Sequence, residues 1–333
     1  MLLARDSRKP KRIARKRAPT EVTHAYTMTF RRLLLPLLAT LALGACTHAA
    51  KPVPPPIVAA PPPVQLKIGL ALGGGAAKGF AHIGVIKMLE ACGIHPDVVA
   101  GTSAGSVVGA LYASGMNPFQ LQQAALALDE ASIRDVRLFS GGLVQGQALQ
   151  DYVNQLLHKQ PIEQLKMPFA AVATELETGT RTVFVRGNTG RAVRASSSIP
   201  GVFEPVEIHG KHYVDGGVVS PIPVDAARRL GADFVIAVDI SAAPDGSNPQ
   251  DMMGIVGQSI DIMGRQLAAQ ESARAEVVIR PDLRGIGPTD FEQKNQAILA
   301  GEKAALAAIP TIRAKLAAMV SARQDAGGKT ARH

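Results

Sequence analysis

Two short stretches limit what this chain can fold into. Residues 66–72, LKIGLAL, are almost wholly apolar and run straight into Gly73-Gly74-Gly75. Residues 97–101, DVVAG, are a second short strand-like run, apolar after Asp97, and lead into Thr102-Ser103-Ala104-Gly105. A brief apolar run without polar alternation is a strand buried on both faces, and such strands belong to parallel sheets covered by helices. FAHIGVIKMLEACG (80–93) follows the first, with Ile83, Ile86 and Leu89 at helical spacing and Gly93 as a C-terminal stop. Further strands are expected at 169–174, 181–186, 233–240 and 275–280. Helices are expected after Ser103 and near 118–130, 146–158, 190–198, 222–230, 250–273 and 293–308. This alternation predicts an α/β fold of three layers, α/β/α, around a mainly parallel central sheet. There is no internal repeat.

The chain has 333 residues and a net charge of +9. Ten basic and two acidic residues of 1–32 supply all but one unit of that charge, so the remainder is nearly neutral and carries no nucleic-acid signal. RRLLLPLLATLALGAC (31–46) has two arginines, an apolar run too short to span a bilayer comfortably, and small residues before Cys46. It reads as an export signal, with an uncut signal anchor as the alternative. Leu43-Gly44-Ala45-Cys46 resembles the lipobox of bacterial lipoproteins, which implies acylation at Cys46. The expected organisation is a basic extension over 1–27 from an over-long start or a long n-region, a signal peptide over 28–45, and a Pro-rich tether over 46–65. A domain over 66–318 and a flexible tail over 319–333 follow. Seven prolines keep the tether extended. With Cys46 acylated, Cys92 is the sole remaining cysteine, and no disulfide is available.

Three stretches carry chemistry. In GLALGGGAAKGFAHIG the fingerprint G-x-G-x-x-G fails from Gly73, Gly74 or Gly75, because Lys78, Ala76 and Ala77 stand where glycine is needed. A P-loop fails as well, since Lys78 precedes Gly79 and Phe80 follows it. What remains is a run of backbone N–H groups at a helix start, which suits an anion, including a transient one, or else a tight turn. In GTSAG, Gly101 and Gly105 bracket Ser103 between strand and helix, the context of a nucleophile elbow or of a packing turn. In KHYVDGGVVSP, Asp215 follows a short strand and precedes Gly216 and Gly217, which would leave the carboxylate pointing into a cleft or simply start a turn.

A serine nucleophile needs a base. After Asp215 the only histidine is His333, the terminal residue. His158, His209 and His212 precede Asp215 and read as surface or core residues, and His82 as a packing residue of the first helix. A Ser103–Asp215 dyad accounts for both motifs at once.

The ordered set GGGAAKGFAHIGV, GTSAG and DGG resembles the patatin-like phospholipase family, and ASSSIPGVFEPV (195–206) adds to the likeness. The match covers roughly residues 66–240. The resemblance implies the patatin-like fold, Ser103 as nucleophile and Asp215 as its base. It also implies an oxyanion hole from the backbone of Gly74, Gly75 and Ala76, supported by Gly73, Lys78, Gly79, Gly101, Gly105, Gly216 and Gly217. Ala76 replaces a frequent glycine of that family, and Lys78 a usual arginine. The implied reaction is hydrolysis of lipid acyl esters, of phospholipid or lysophospholipid, through an acyl-enzyme, without metal or cofactor. An outer-membrane lipoprotein facing the periplasm is the expected setting. The alternative is a non-catalytic lipoprotein that binds lipid or a partner protein in the same cleft.

Overall fold

A computed structural model describes residues 64–128, 144–241, 250 and 252–330. The basic stretch 1–27, the apolar segment 28–45, Cys46, most of the tether and His333 lie outside the described residues.

Eight strands form one sheet: β1 (Ile68–Leu72), β2 (Val98–Thr102), β3 (Phe169–Glu175), β4 (Arg181–Phe184), β5 (Val206–Ile208), β6 (Lys211–Asp215), β7 (Phe234–Val238) and β8 (Val277–Ile279). The described helices are α1 (Phe80–Ala91), α2 (Ala104–Ala113), α3 (Pro118–Ala127), α4 (Gln147–Leu156), α5 (Thr189–Ser196), α6 (Val224–Arg229), α7 (Met252–Ser272) and α8 (Lys294–Thr330). β3, β2, β1, β7 and β8 pair in parallel, and β4, β6 and β5 join antiparallel.

The parallel strands are buried on both faces, as their unbroken apolar runs require. Leu70, Leu72, Val99, Phe169 and Ile236 face a core shared with α1, α2, α4 and α8. Their neighbours Ala71, Val98, Ala170 and Val235 face a second core with Val224, Ala226 and Ala227 of α6 and Ala268 of α7. The expected α/β/α layering is therefore present, with a mixed sheet whose centre is parallel.

β3 organises everything that follows. β4 pairs with Ala171 to Thr174 of β3. β2 pairs with Phe169 to Val172, and β6 with Ala173 to Glu175. A strand has two edges, and β4 overlaps both of the others. β2 and β6 must therefore share the opposite edge, end to end. Thr102 sits against Val172 and Asp215 against Ala173, so the two chains approach each other along one edge and both must turn away at the same point. The turns are Ser103 and Gly216.

α8 lies across α1 at a glycine pair. A Cβ on Gly84 would stand 2.0 Å from the Ile298 carbonyl oxygen, and one on Gly301 would stand 2.0 Å from that of Ala81. Only glycine permits this approach in either helix.

Two expectations change. α8 does not stop near 308 but continues through Pro310 to Thr330. The proline removes one backbone donor, and Leu306, four residues earlier, is exposed, so water can take the freed carbonyl. Residues 319–330, read as tail, are thus helical, and Arg323 there pairs with Asp233 at 2.7 Å.

Candidate active site

The serine turn is tight because the chain must leave β2 before it meets β6. Ser103 has φ 53 and ψ −125, a conformation that L-residues rarely adopt and that persists only where the surroundings enforce it. The flanking glycines enforce it by contact. A Cβ on Gly101 would lie 2.3 Å from the Gly105 carbonyl oxygen, and one on Gly105 would lie 2.2 Å from that of Leu72. The Ser103 N–H donates to Ser196 Oγ at 2.9 Å, and that hydroxyl donates onward to the Val172 carbonyl at 2.5 Å. Ser103 is 5% exposed and caps the N-terminus of α2, where partial positive charge favours a developing oxyanion.

Asp215 arrives from β6 and is 6% exposed. Its own N–H donates to the Ser198 carbonyl at 2.8 Å. Its Oδ1 accepts from the Gly217 N–H at 2.7 Å. Burial, the largest influence, pushes its carboxyl up to about 6, against opposing pulls from the Ser103 hydroxyl and the Gly217 N–H. Oδ2 is buried and makes no well-formed hydrogen bond among the described residues. The Ser103 hydroxyl is thus near enough to stabilise the carboxylate without closing a conventional bond to it, a geometry common in sites without substrate. An ionised carboxylate with one unclaimed oxygen beside a strained serine can accept a proton from it.

The glycine loop lies against Ser103, since a Cβ on Gly74 would come within 3.2 Å of Ser103 Cβ. Its N–H groups are unequally engaged. Gly73 donates to Val238 and Gly74 to Pro221, both at 3.0 Å, Ala77 to Pro288 and Lys78 to Gly75, both at 3.1 Å. Those of Gly75 and Ala76 have no acceptor among the described residues. Of the three expected donors, the Gly74 N–H thus serves the Pro221 carbonyl, and the other two are unengaged among the described residues. Ala76 adopts φ 50, a left-handed conformation that glycine takes without strain.

Three further residues hold the site and were not singled out as site residues in the sequence. Ser196 sits in the ASSSIPG stretch, which only the family likeness marked. Glu271 of α7 accepts from Ser220 Oγ at 2.6 Å and the Ile222 N–H at 2.8 Å, so it brackets Pro221. His82 of α1 places Nε2 2.8 Å from the Gly73 carbonyl. His209 and His212 lie on the turn and strand before Asp215, and His212 pairs with Glu177 at 2.7 Å. Neither histidine contacts Ser103 or Asp215 in any described bond. Among the described residues no group of three or more His, Cys, Asp or Glu is placed to hold a metal ion.

Residues 70–228 match the family model of the patatin-like phospholipases. An uncharacterized NTE family protein of Mycobacterium tuberculosis is 34% identical over 205 residues, covering 61% of this chain and 57% of that protein. Patatin-like phospholipase domain-containing protein 6 of Homo sapiens is 33% identical over 201 residues, covering 58% of this chain and 14% of that protein. The chain therefore corresponds to only part of the length of the curated relatives it matches. Among solved structures, VipD from Legionella pneumophila aligns with a TM-score of 0.48 at 15% identity, over 76% of this chain and 68% of that one.

Proposed function

We propose that this chain, which over residues 70–228 belongs to the patatin-like phospholipase family, is a serine acyl hydrolase acting on lipid acyl esters through a Ser103–Asp215 dyad. Asp215 takes the hydroxyl proton of Ser103 on Oδ2, and Ser103 Oγ attacks the ester carbonyl. The carbonyl oxygen becomes an oxyanion held by the N–H groups of Gly75 and Ala76. Collapse expels the alcohol, which takes the proton back from Asp215. Water, deprotonated by the same carboxylate, then attacks the acyl-enzyme and releases the fatty acid and the free serine.

One observation carries the reading: a serine held at φ 53 beside a buried carboxyl with an unclaimed oxygen. A binding cleft alone has no use for that strain. The substrate class, phospholipid or lysophospholipid, rests on the family. Acylation at Cys46 would hold the domain beside such substrates at the outer membrane, by a tether of about 60 Å if it is fully extended at ~3.1 Å per residue. Acyl-ester hydrolysis is to be compared in the wild type, Ser103→Ala and Asp215→Asn, together with labelling by a fluorophosphonate probe. Loss of turnover in both variants, and of labelling in Ser103→Ala, is expected. Equal activity in all three proteins would overturn the dyad.

A further inference from the structure

His82 is fully buried, yet the chemistry described so far does not use it. It lies in the first turn of α1 and reaches back over the glycine loop to the loop's first carbonyl, that of Gly73, at 2.8 Å. A carbonyl only accepts, so Nε2 carries the hydrogen. Nδ1 is then a bare acceptor, buried and without a partner among the described residues. Protonating it would place a charged N–H where nothing can receive it, and burial accordingly holds the imidazole down at about 4. The ring is a neutral donor with one fixed direction.

We infer that His82 is a positioning residue for the oxyanion donors, a reading that rests on the proposed hydrolysis. The peptide unit joining Gly73 to Gly74 is held on both sides, its carbonyl by His82 and its N–H by the Pro221 carbonyl, while the N–H of the unit before it donates to Val238. Held there, the chain reaches Gly75 and Ala76 in one orientation, with their N–H groups unclaimed among the described residues. Without the His82 bond, the Gly73 carbonyl loses its only described acceptor role. The Gly73–Gly74 plane is then held at its N–H alone and can tilt, and the planes that follow tilt with it. The effect falls on the transition state, because the ester binds before any oxyanion exists. His82 itself is held by α1, and α1 by the glycine crossing with α8.

The test compares His82→Leu, which removes the donor, with His82→Gln, whose amide can reach the same carbonyl, and His82→Asn, which is too short. Steady-state hydrolysis of a soluble acyl ester gives kcat and KM separately, and Ser103→Ala sets the background. His82→Leu should lose kcat by ~10²-fold, comparable to losing one oxyanion donor, with KM unchanged, and His82→Gln should restore most of it. Equal turnover in Leu, Gln and wild type, equal loss in Leu and Gln, or a rise in KM at constant kcat would overturn the assignment. If His82→Leu does not fold, the Gln and Asn pair decides in the same way, Gln active and Asn impaired being the expected result. A wild type no more active than Ser103→Ala would instead defeat the hydrolase reading itself.

Discussion

Replacing Asp215 by asparagine separates what the carboxylate does from what it costs the fold. Burial raises its pKa from the ordinary 3.8 to about 6 in the folded protein. The fold therefore binds this proton at pH values where the unfolded chain has already released it. The stability tied to that proton is whole below about 3.8 and is lost as pH rises through about 6. A shift of this size corresponds to ~3 kcal/mol, of which ~2 kcal/mol should separate about pH 4 from about pH 7.5, because the unfolded side chain is already half ionised near pH 4. Asparagine has nearly the same shape, does not ionise and keeps an oxygen for the Gly217 N–H. Urea unfolding of both proteins at these two pH values is the assay. Relative to wild type, Asp215→Asn should gain ~2 kcal/mol on going from about pH 4 to about pH 7.5, while acyl-ester turnover disappears. A stability difference that is the same at both pH values would refute the idea that an ionised carboxylate is kept there against its burial.

In the wild type, kcat/KM should fall about tenfold per pH unit below about 6, because only the ionised carboxylate accepts the serine proton; a pH–rate profile flat down to about pH 5 would count against it. Ala76→Gly should stabilise the protein by ~0.5–1 kcal/mol, since relief of a left-handed alanine (about 1–2 kcal/mol) exceeds the added chain entropy of glycine. It keeps the N–H and should leave turnover within a few-fold; a drop in chemical stability would show that φ 50 carries no strain. Gly84→Ala should cost about 3 kcal/mol or more despite the helix preference of alanine, because its methyl would meet the Ile298 backbone rather than a side chain that can move. An unchanged urea midpoint would mean that α1 and α8 part easily.

Much of this architecture was readable in the sequence because burial on both faces leaves a plain signature. The short, largely apolar runs expected at 66–72, 97–101 and 233–240 became β1, β2 and β7, with ends within two residues of those expected. The serine turn was readable because glycine is the only residue that lets strand, turn and helix approach so closely. The junction that makes the site was not. Nothing in KHYVD says that it pairs with Ala173 in line with β2, because that register is set by contacts between residues far apart in the chain. The bonds from Ser196, His82 and Glu271 are likewise tertiary, and their residue types are ordinary in any helix. The glycine loop was legible as an anion cradle, but which N–H groups stay open depends on carbonyls at 221, 238 and 288 that only folding brings there. The last helix runs past the expected 308, because Pro310 costs it one backbone bond on an exposed flank.

The crossing of Gly84 and Gly301 also governs timing. α1 is among the first elements of the domain to be synthesised and α8 is the latest of those described, so the ribosome must deliver nearly the whole domain before α1 finds its packing partner. Until then the helix that carries His82 has one flank bare, and the loop above Ser103 lacks its brace. On the proposed mechanism, a chain truncated before α8 would hold the serine, the aspartate and the glycines and still hydrolyse esters poorly.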